Sequence, residues 1–252
     1  MINKLNIYEN YYSWWKNIDK TILFIIISFF VAGLFFSLVS TSLIASDRLN
    51  TNSYYFFIKH LIFIFFGLSI MFLFSLVKEN YLIKLSIIFF ILSFLFLLLV
   101  PIIGIEVKGS KRWLDLPFLP RFQPVELIKP FYIVILSSLL NHQKYNLYFK
   151  YLLTLFLIIP IILLLISQPD IGQSILIILT WLALVFVSGI NLIIFFSLFG
   201  IFIILLSYLI FFVEKFNYIK IRISSFFDSS SNNYSQSEKA SEAIIDGGFF
   251  GK

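Results

Sequence analysis

The sequence predicts an all-α, polytopic membrane protein with about seven transmembrane helices. Three observations carry that prediction. The chain of 252 residues is 60% hydrophobic and only 13% charged, about half the charged share of a soluble domain. Its apolar residues come in long continuous runs rather than alternating with polar ones, which selects helices over a membrane β-barrel. About seven of those runs approach the roughly 20 residues that a helix needs to cross a bilayer core.

In chain order the runs are Thr21–Ser46, Tyr54–Val77, Tyr81–Ile103, Glu126–Leu140, Tyr148–Ser167, Ile171–Gly189 and Asn191–Val213. The fourth is short and opens with Glu126 and Lys129, so it either extends into the loop before it or tilts among its neighbours. Ahead of the first run lies an amphipathic lead-in, YENYYSWWKNIDK (8–20), whose Trp14 and Trp15 suit the headgroup level. Gly189–Asn191 predicts a tight turn between the sixth and seventh runs. From Glu214 the composition turns polar and Ser/Asn-rich, and residues 236–246 predict a short helix stopped by Gly247 and Gly248. The chain thus divides into a lead-in (1–20), a transmembrane bundle (21–213) with a polar loop (104–125), and a polar segment (214–252).

Several classes drop out. There is no cysteine, hence no disulfide or thiolate–metal site. Two histidines and no carboxylates at ligand spacing exclude a metal cluster of the usual kind. The net charge of +6 does not indicate nucleic acid, because the basic residues sit between apolar blocks rather than on one polar face. The first apolar block is too long for a cleavable signal sequence and no small-residue cleavage pattern follows it. No phosphate-binding loop, nucleophile elbow or kinase signature occurs.

The polar loop carries the densest chemistry. Lys108, Lys111, Arg112 and Arg121 place four cations beside Trp113, and Pro117, Pro120 and Pro124 stiffen the backbone. Such a loop suits a phosphate or diphosphate headgroup with a sugar against the indole. The plainer reading is an interfacial anchor, since Trp, Lys and Arg gather at membrane surfaces without any ligand. Gln-Pro occurs twice, at Gln123–Pro124 and at Gln168–Pro169–Asp170 with Gly172 following. Helix capping explains both, yet Glu126 and Asp170 are carboxylates at membrane depth or its edge, where charge is costly and often functional. Glu126 and Lys129 share a helix face and are placed to neutralise each other. Lys59 and His60 lie near one end of the second run. Snorkelling accounts for Lys59, while His60 as a proton carrier is the less favoured reading.

The order of these motifs resembles the SEDS family of FtsW- and RodA-type proteins. Lys108-Gly109-Ser110-Lys111-Arg112-Trp113 followed by Gln123-Pro124-Val125-Glu126 resembles its KGA-x-RW…QPSE signature, with Val125 where the family has Ser. Gln168-Pro169-Asp170-Ile171-Gly172 resembles QPD-x-G. Arg222 with Ser225-Phe226-Phe227-Asp228 resembles R-x-x-S-F-L-D-P, with Ser229 in place of the Pro. The stretch from Tyr234 to Gly251, including Gly247 and Gly248, resembles Y-Q-x-x-x-A-x-x-A-I-x-x-GG-x-F-G. The paired Trp of the lead-in and the Ser-Glu-Lys-Ala-Ser-Glu-Ala-Ile wording are more similar to the division branch than to the elongation branch.

The resemblance implies a pattern of about ten spans, a cytoplasmic N-terminus in the bacterial inner membrane, an outer polar loop at 104–125, and a large outer loop starting at 214. It implies a peptidoglycan glycosyltransferase that polymerises lipid II on the outer face during cell division. Its partners would be lipid II, undecaprenyl-diphosphate-linked glycan, a class B penicillin-binding protein and other division proteins. The catalytic Asp of the family lies after the GG-x-F-G motif, so it is expected beyond Lys252, and the chain resembles the N-terminal two-thirds of a longer protein. Substrate-binding positions carried over are Lys111, Arg112, Trp113, Arg121 and Arg222, with Lys59 the weaker one. Structural positions are Gln123, Pro124, Glu126, Gln168, Pro169, Asp170, Gly172, Gly247 and Gly248. No cofactor is implied with certainty and a divalent cation stays open. With the N-terminus inside, seven of the 19 Lys and Arg fall inside and twelve outside, against the positive-inside tendency. An anionic substrate held by basic outer loops would account for that exception. A lipid II flippase and a non-catalytic division scaffold are the alternatives.

Overall fold

The computed structural model describes residues 12–42, 52, 54–107, 110–117, 120–143, 145–227 and 236–248. Its contacts divide the chain into two units, Met1–Leu82 and Ile83–Lys252. Among the described residues seven apolar helices follow one another, as the hydropathy pattern predicts, and six of them are long enough to cross a membrane. The seventh, Ile171–Val187, has 17 residues and rises about 26 Å. It stops short because Asp170 and the turn around Gly189 interrupt the apolar run at both ends.

In the first unit residues 12–17 are helical, and α1 (Lys20–Phe36) begins where the Asp19 carboxylate accepts from the amides of Thr21 and Ile22, at 2.9 and 3.1 Å. That contact satisfies two of the donors a helix start leaves open. The helix continues as a π-turn, Ser37–Ser42, and α2 spans Tyr55–Ser75. Trp14 bridges the lead-in to the end of α2: its Nε1 donates to Ser75 Oγ at 2.9 Å and its ring meets Phe72 edge-on at 5.1 Å. The lead-in therefore packs as an interfacial indole does, with an apolar face and one polar tip.

The second unit contains α3 (Glu79–Ile103, whose first turn holds the boundary), the strands β1 (Ile105–Val107) and β2 (Ser110–Trp113), and the helices α4 (Pro124–Asn141), α5 (Leu147–Ser167), α6 (Ile171–Val187) and α7 (Leu192–Phe212). A 3-10 turn, Glu214–Phe216, leads into α8 (Asn217–Phe227), and α9 is Gln236–Gly247. Helix α4 begins two residues before the fourth apolar run, because Pro124 occupies the first helical position, where a missing N–H costs nothing. The core lies where α4, α5 and α6 meet. Val125, Ile128, Tyr132 and Leu136 on α4 bury at helical spacing, as do Ile158, Ile161 and Leu165 on α5 and Ile177, Trp181 and Val185 on α6. Inside it Trp181 Nε1 donates to Thr154 Oγ1 at 3.0 Å, and that hydroxyl donates to the Tyr151 carbonyl at 2.9 Å. Two polar groups thereby stay satisfied in an apolar surround.

The polar loop departs from a purely helical fold. Strands β1 and β2 form an antiparallel hairpin with Ile105 opposite Trp113, Glu106 opposite Lys111 and Val107 opposite Ser110. A bridge from Leu114 to Phe122 extends it, at 3.0 and 3.2 Å, and the Leu114 side chain is fully buried. Strands of three and four residues are too short for their alternation to be read against the surrounding apolar runs.

Gly104 joins α3 to the hairpin. Its amide donates to the Val100 carbonyl at 2.8 Å, and a Cβ added there would lie 2.3 Å from that oxygen. Gly104→Ala is therefore expected to displace the hairpin and lower stability by about 1–3 kcal/mol. Gly67→Ala meets nothing within 4 Å and leaves the thermal melt in detergent no lower than wild type. Equal melting of the two variants would contradict this account of Gly104.

Candidate functional site

Successive antiparallel helices return the chain to the same end of the second unit after every second crossing. The hairpin loop before α4, the turn between α5 and α6, and the 3-10 turn after α7 meet there, and their polar side chains knit together.

Arg112 on β2 is the centre of the knit. Its Nε donates to the Gln168 carbonyl at 3.4 Å, its Nη2 donates to the Pro169 carbonyl, and its Nη1 lies 3.5 Å from Asp170 Oδ1. Gln123 Nε2 donates to Asp170 Oδ2 at 3.0 Å, so the two Gln-Pro motifs touch through one carboxylate. Asp170 also closes its own turn: its amide donates to the Leu165 carbonyl at 2.9 Å, and its carbonyl accepts from Ser174 Oγ at 2.9 Å. Gln168 turns inward, with Nε2 3.5 Å from the Leu97 carbonyl. That carbonyl lacks its usual helix donor because Pro101 stands four residues later.

The Asp170 side chain is 7% exposed against 29% for Arg112. Desolvation is the largest influence on Asp170 and raises its pKa above the usual carboxylate range. Arg112, the Gln173 amide and Gln123 pull the value down, and the charge of Glu126 pushes it up. A second polar cluster ties α4 to α6: Lys129 Nζ lies 2.6 Å from Glu126 Oε2 and donates to Gln173 Oε1 at 3.1 Å, and Gln173 Nε2 donates to Glu126 Oε1 at 2.7 Å. Glu126 and Lys129 do neutralise each other, and Gln173 completes the triangle.

Two clefts open between these elements. The larger, of 910 Å³, lies among Arg112, Trp113, Asp170, Gly172, Lys215 and Tyr218. The smaller, of 260 Å³, lies among Glu106, Ser110, Lys111, Gln168, Pro169 and Lys215. Lys215 borders both; its Nζ donates to the Ser167 carbonyl at 2.6 Å. Tyr218 OH donates to the Pro169 carbonyl at 3.1 Å.

Of the positions singled out from sequence, Lys111, Arg112, Trp113, Gln168, Pro169, Asp170 and Gly172 line the clefts. Gln123, Pro124 and Glu126 form the start of α4 behind them. Arg121 lines neither cleft and is 2.9 Å from Asp115, with both side chains largely exposed. Such a surface pair is worth little. Arg222 lies on α8, Gly247 ends α9, and Gly248 follows at φ +57°, the left-handed cap that glycine adopts without strain. Lys59 belongs to the first unit and is exposed on α2. Lys108, Gly109, Asp228, Ser229, Tyr234, Phe250 and Gly251 lie outside the described residues. Lys215, Tyr218 and Gln173 were not foreseen as site residues. The available signal was the placement of Lys215 and Tyr218 just after the seventh apolar run, at the end where the other loops meet.

Burial of Asp170 has a consequence for pH. With its pKa raised, the folded protein keeps this proton over an interval where the unfolded chain has released it. There the unfolded state binds fewer protons, so stability falls as pH rises. Asp170→Asn removes that slope. Relative to the variant, wild type is expected to lose stability with rising pH from the ordinary carboxylate range up to the raised value, and to run parallel above it. Thermal melts in detergent across this interval check the sign, and a relative gain with rising pH would contradict it.

The chain was compared with known proteins. Residues 20–252 match the family model described as cell cycle protein, that of FtsW, RodA and SpoVE. A Coxiella burnetii protein named "Probable peptidoglycan glycosyltransferase FtsW" is 34% identical over 179 residues, covering 69% of this chain and 48% of the relative. A Wigglesworthia glossinidia brevipalpis protein of the same name is 31% identical over 177 residues, covering 69% and 46%. The chain spans about half the length of these curated relatives. Among solved structures, a variant of the rod shape determining protein RodA from Thermus thermophilus superimposes with a TM-score of 0.55 at 25% identity, covering 72% of this chain and 59% of that one. A chain of a peptidoglycan synthase complex shares the fold, with a TM-score of 0.59 at 24% identity over 79% and 60% of the two chains. This polytopic membrane chain belongs to the FtsW, RodA and SpoVE family of cell cycle proteins.

Proposed function

We propose that this protein polymerises lipid II into glycan strands during cell division, and that the 910 Å³ cleft receives a lipid-linked diphosphate and its first sugar. The observation that carries the reading is the convergence of two family motifs on one cleft at one end of the bundle, through Arg112 and Asp170. The names of the relatives agree with it. The volume lies within the roughly 300–1,000 Å³ of small-molecule sites. Trp113 offers a flat apolar wall for a sugar, and Lys215 offers a cation for phosphate oxygens.

In the proposed reaction a sugar hydroxyl of one lipid-linked molecule attacks the anomeric carbon of another. The new carbon–oxygen bond forms as the bond to the diphosphate breaks, and the diphosphate leaves with the electron pair. The hydroxyl proton passes to a base, expected as an Asp beyond Lys252 by family resemblance. Cations at the cleft stabilise the charge growing on the leaving group. With a cytoplasmic N-terminus, an odd number of crossings puts the cleft on the outer face of the inner membrane, where such substrates are polymerised. A class B penicillin-binding protein and other division proteins would be partners there. A flippase would need a polar path between α4, α5 and α6. Ile128, Leu136, Ile161, Ile177 and Val185 fill that space, which supports polymerisation over transport.

The test is strand synthesis from lipid II by the purified protein carrying the segment expected beyond Lys252. Lys215→Ala removes a charge-assisted contact and is expected to slow synthesis about ten- to a hundredfold. Trp113→Ala is expected to raise the lipid II concentration needed for half-maximal rate. Unchanged kinetics in both variants would reject the cleft as the substrate site, and no polymer from wild type would reject the function.

A further inference from the structure

The cations at this end of the bundle differ in how far the chain already engages them. Arg112 is engaged by two carbonyls and Asp170, Arg121 by Asp115, and Lys129 by Glu126 and Gln173. Lys215 gives one N–H to the Ser167 carbonyl, at the negative end of the α5 dipole, and keeps two donors. Lys111 is exposed and has no acceptor among the described residues, although Glu106 stands opposite it in the hairpin register. Lys111 and Lys215, each with spare donors, come from separate elements, β2 and the 3-10 turn, and border the same 260 Å³ cleft.

We infer that Lys111 and Lys215 form a second phosphoryl-anion subsite in this smaller cleft, distinct from the larger one and joined to it through Lys215. Its volume falls below the usual range for small-molecule sites, so it suits a phosphate or diphosphate rather than a sugar. Ser110 adds a hydroxyl to its wall. Glu106 is the one carboxylate among its lining residues and opposes an anion, so it tunes affinity downward. Naming the natural ligand rests on the polymerase reading. A polymerase handles two lipid-linked diphosphates in each cycle, one on the strand under attack and one on the attacking molecule, and the one under attack leaves as a lipid diphosphate. Two clefts sharing a lysine would hold two such groups side by side.

The test is calorimetric titration of the purified protein in detergent with inorganic diphosphate. Two equivalents are expected for wild type, one for Lys111→Ala, and two with both affinities reduced about tenfold for Lys215→Ala. Glu106→Gln is expected to tighten only the Lys111-dependent equivalent, which reports on the subsite without deleting a cation. One equivalent in wild type, or two undiminished equivalents in Lys111→Ala, would overturn the inference. Farnesyl diphosphate separates the sources: filling both sites identifies a second lipid-linked diphosphate, and filling one assigns the smaller cleft to a phosphoryl anion without a lipid tail. Strand synthesis from lipid II is measured in parallel on the protein carrying the segment expected beyond Lys252. Its absence in wild type would remove the polymerase reading and leave the stoichiometry to stand or fall by itself.

Discussion

Arg112 reaching across to the turn at Gln168–Asp170 is the contact on which this end of the second unit depends. Helix α5 ends there, so its last carbonyls have no helical donors. At a membrane edge water is a poor substitute, and unpaired carbonyls cost free energy. Several polar groups around the turn answer that demand. Arg112 donates to the carbonyls of Gln168 and Pro169, Tyr218 donates to Pro169, Lys215 to Ser167, and the Asp170 amide to Leu165. The Gln168 side chain does the same for Leu97, whose donor Pro101 removed. A set of residues that reads as substrate chemistry is thus, first, a scheme for closing helix ends in a lipid setting.

The scheme also divides labour among charges. Asp170 is buried, and the cost of keeping its charge there is offset only in part by Arg112 and Gln123. A lysine in place of Arg112 could not reach two carbonyls and a carboxylate with one planar fork. Glu126 and Lys129 are likewise matched to each other and to Gln173. Among the described residues that border the smaller cleft, Lys111 and two of the three donors on Lys215 remain uncommitted. A ligand that meets this end of the protein meets a preorganised wall, and the cations with donors to spare lie at its rim.

The number and order of the apolar helices were legible because continuous apolar runs leave the backbone no alternative in lipid, whereas the polar helix α8 was not foreseen. Boundaries were legible where a residue has one physical use: Pro124 at a first helical position, Asp170 before α6, Gly248 after α9. The hairpin was not, since two strands of three and four residues carry too little alternation to stand out beside apolar helices. The members of the site were partly legible. Arg112 and Asp170 stood out as charges near the bilayer, but they lie 58 positions apart, and sequence alone gives no contact between them. Lys215 read as one charge among many in a polar tail, because its value lies in where α7 delivers it.

The central claim is that Arg112 and Asp170 act as one unit. A double-mutant cycle with Arg112→Met and Asp170→Asn, read by denaturation in detergent, measures that directly. The account predicts a coupling of at least about 1 kcal/mol, the double variant losing less stability than the two single losses together. Losses that add within about 0.3–0.5 kcal/mol, the behaviour of independent sites, would contradict it.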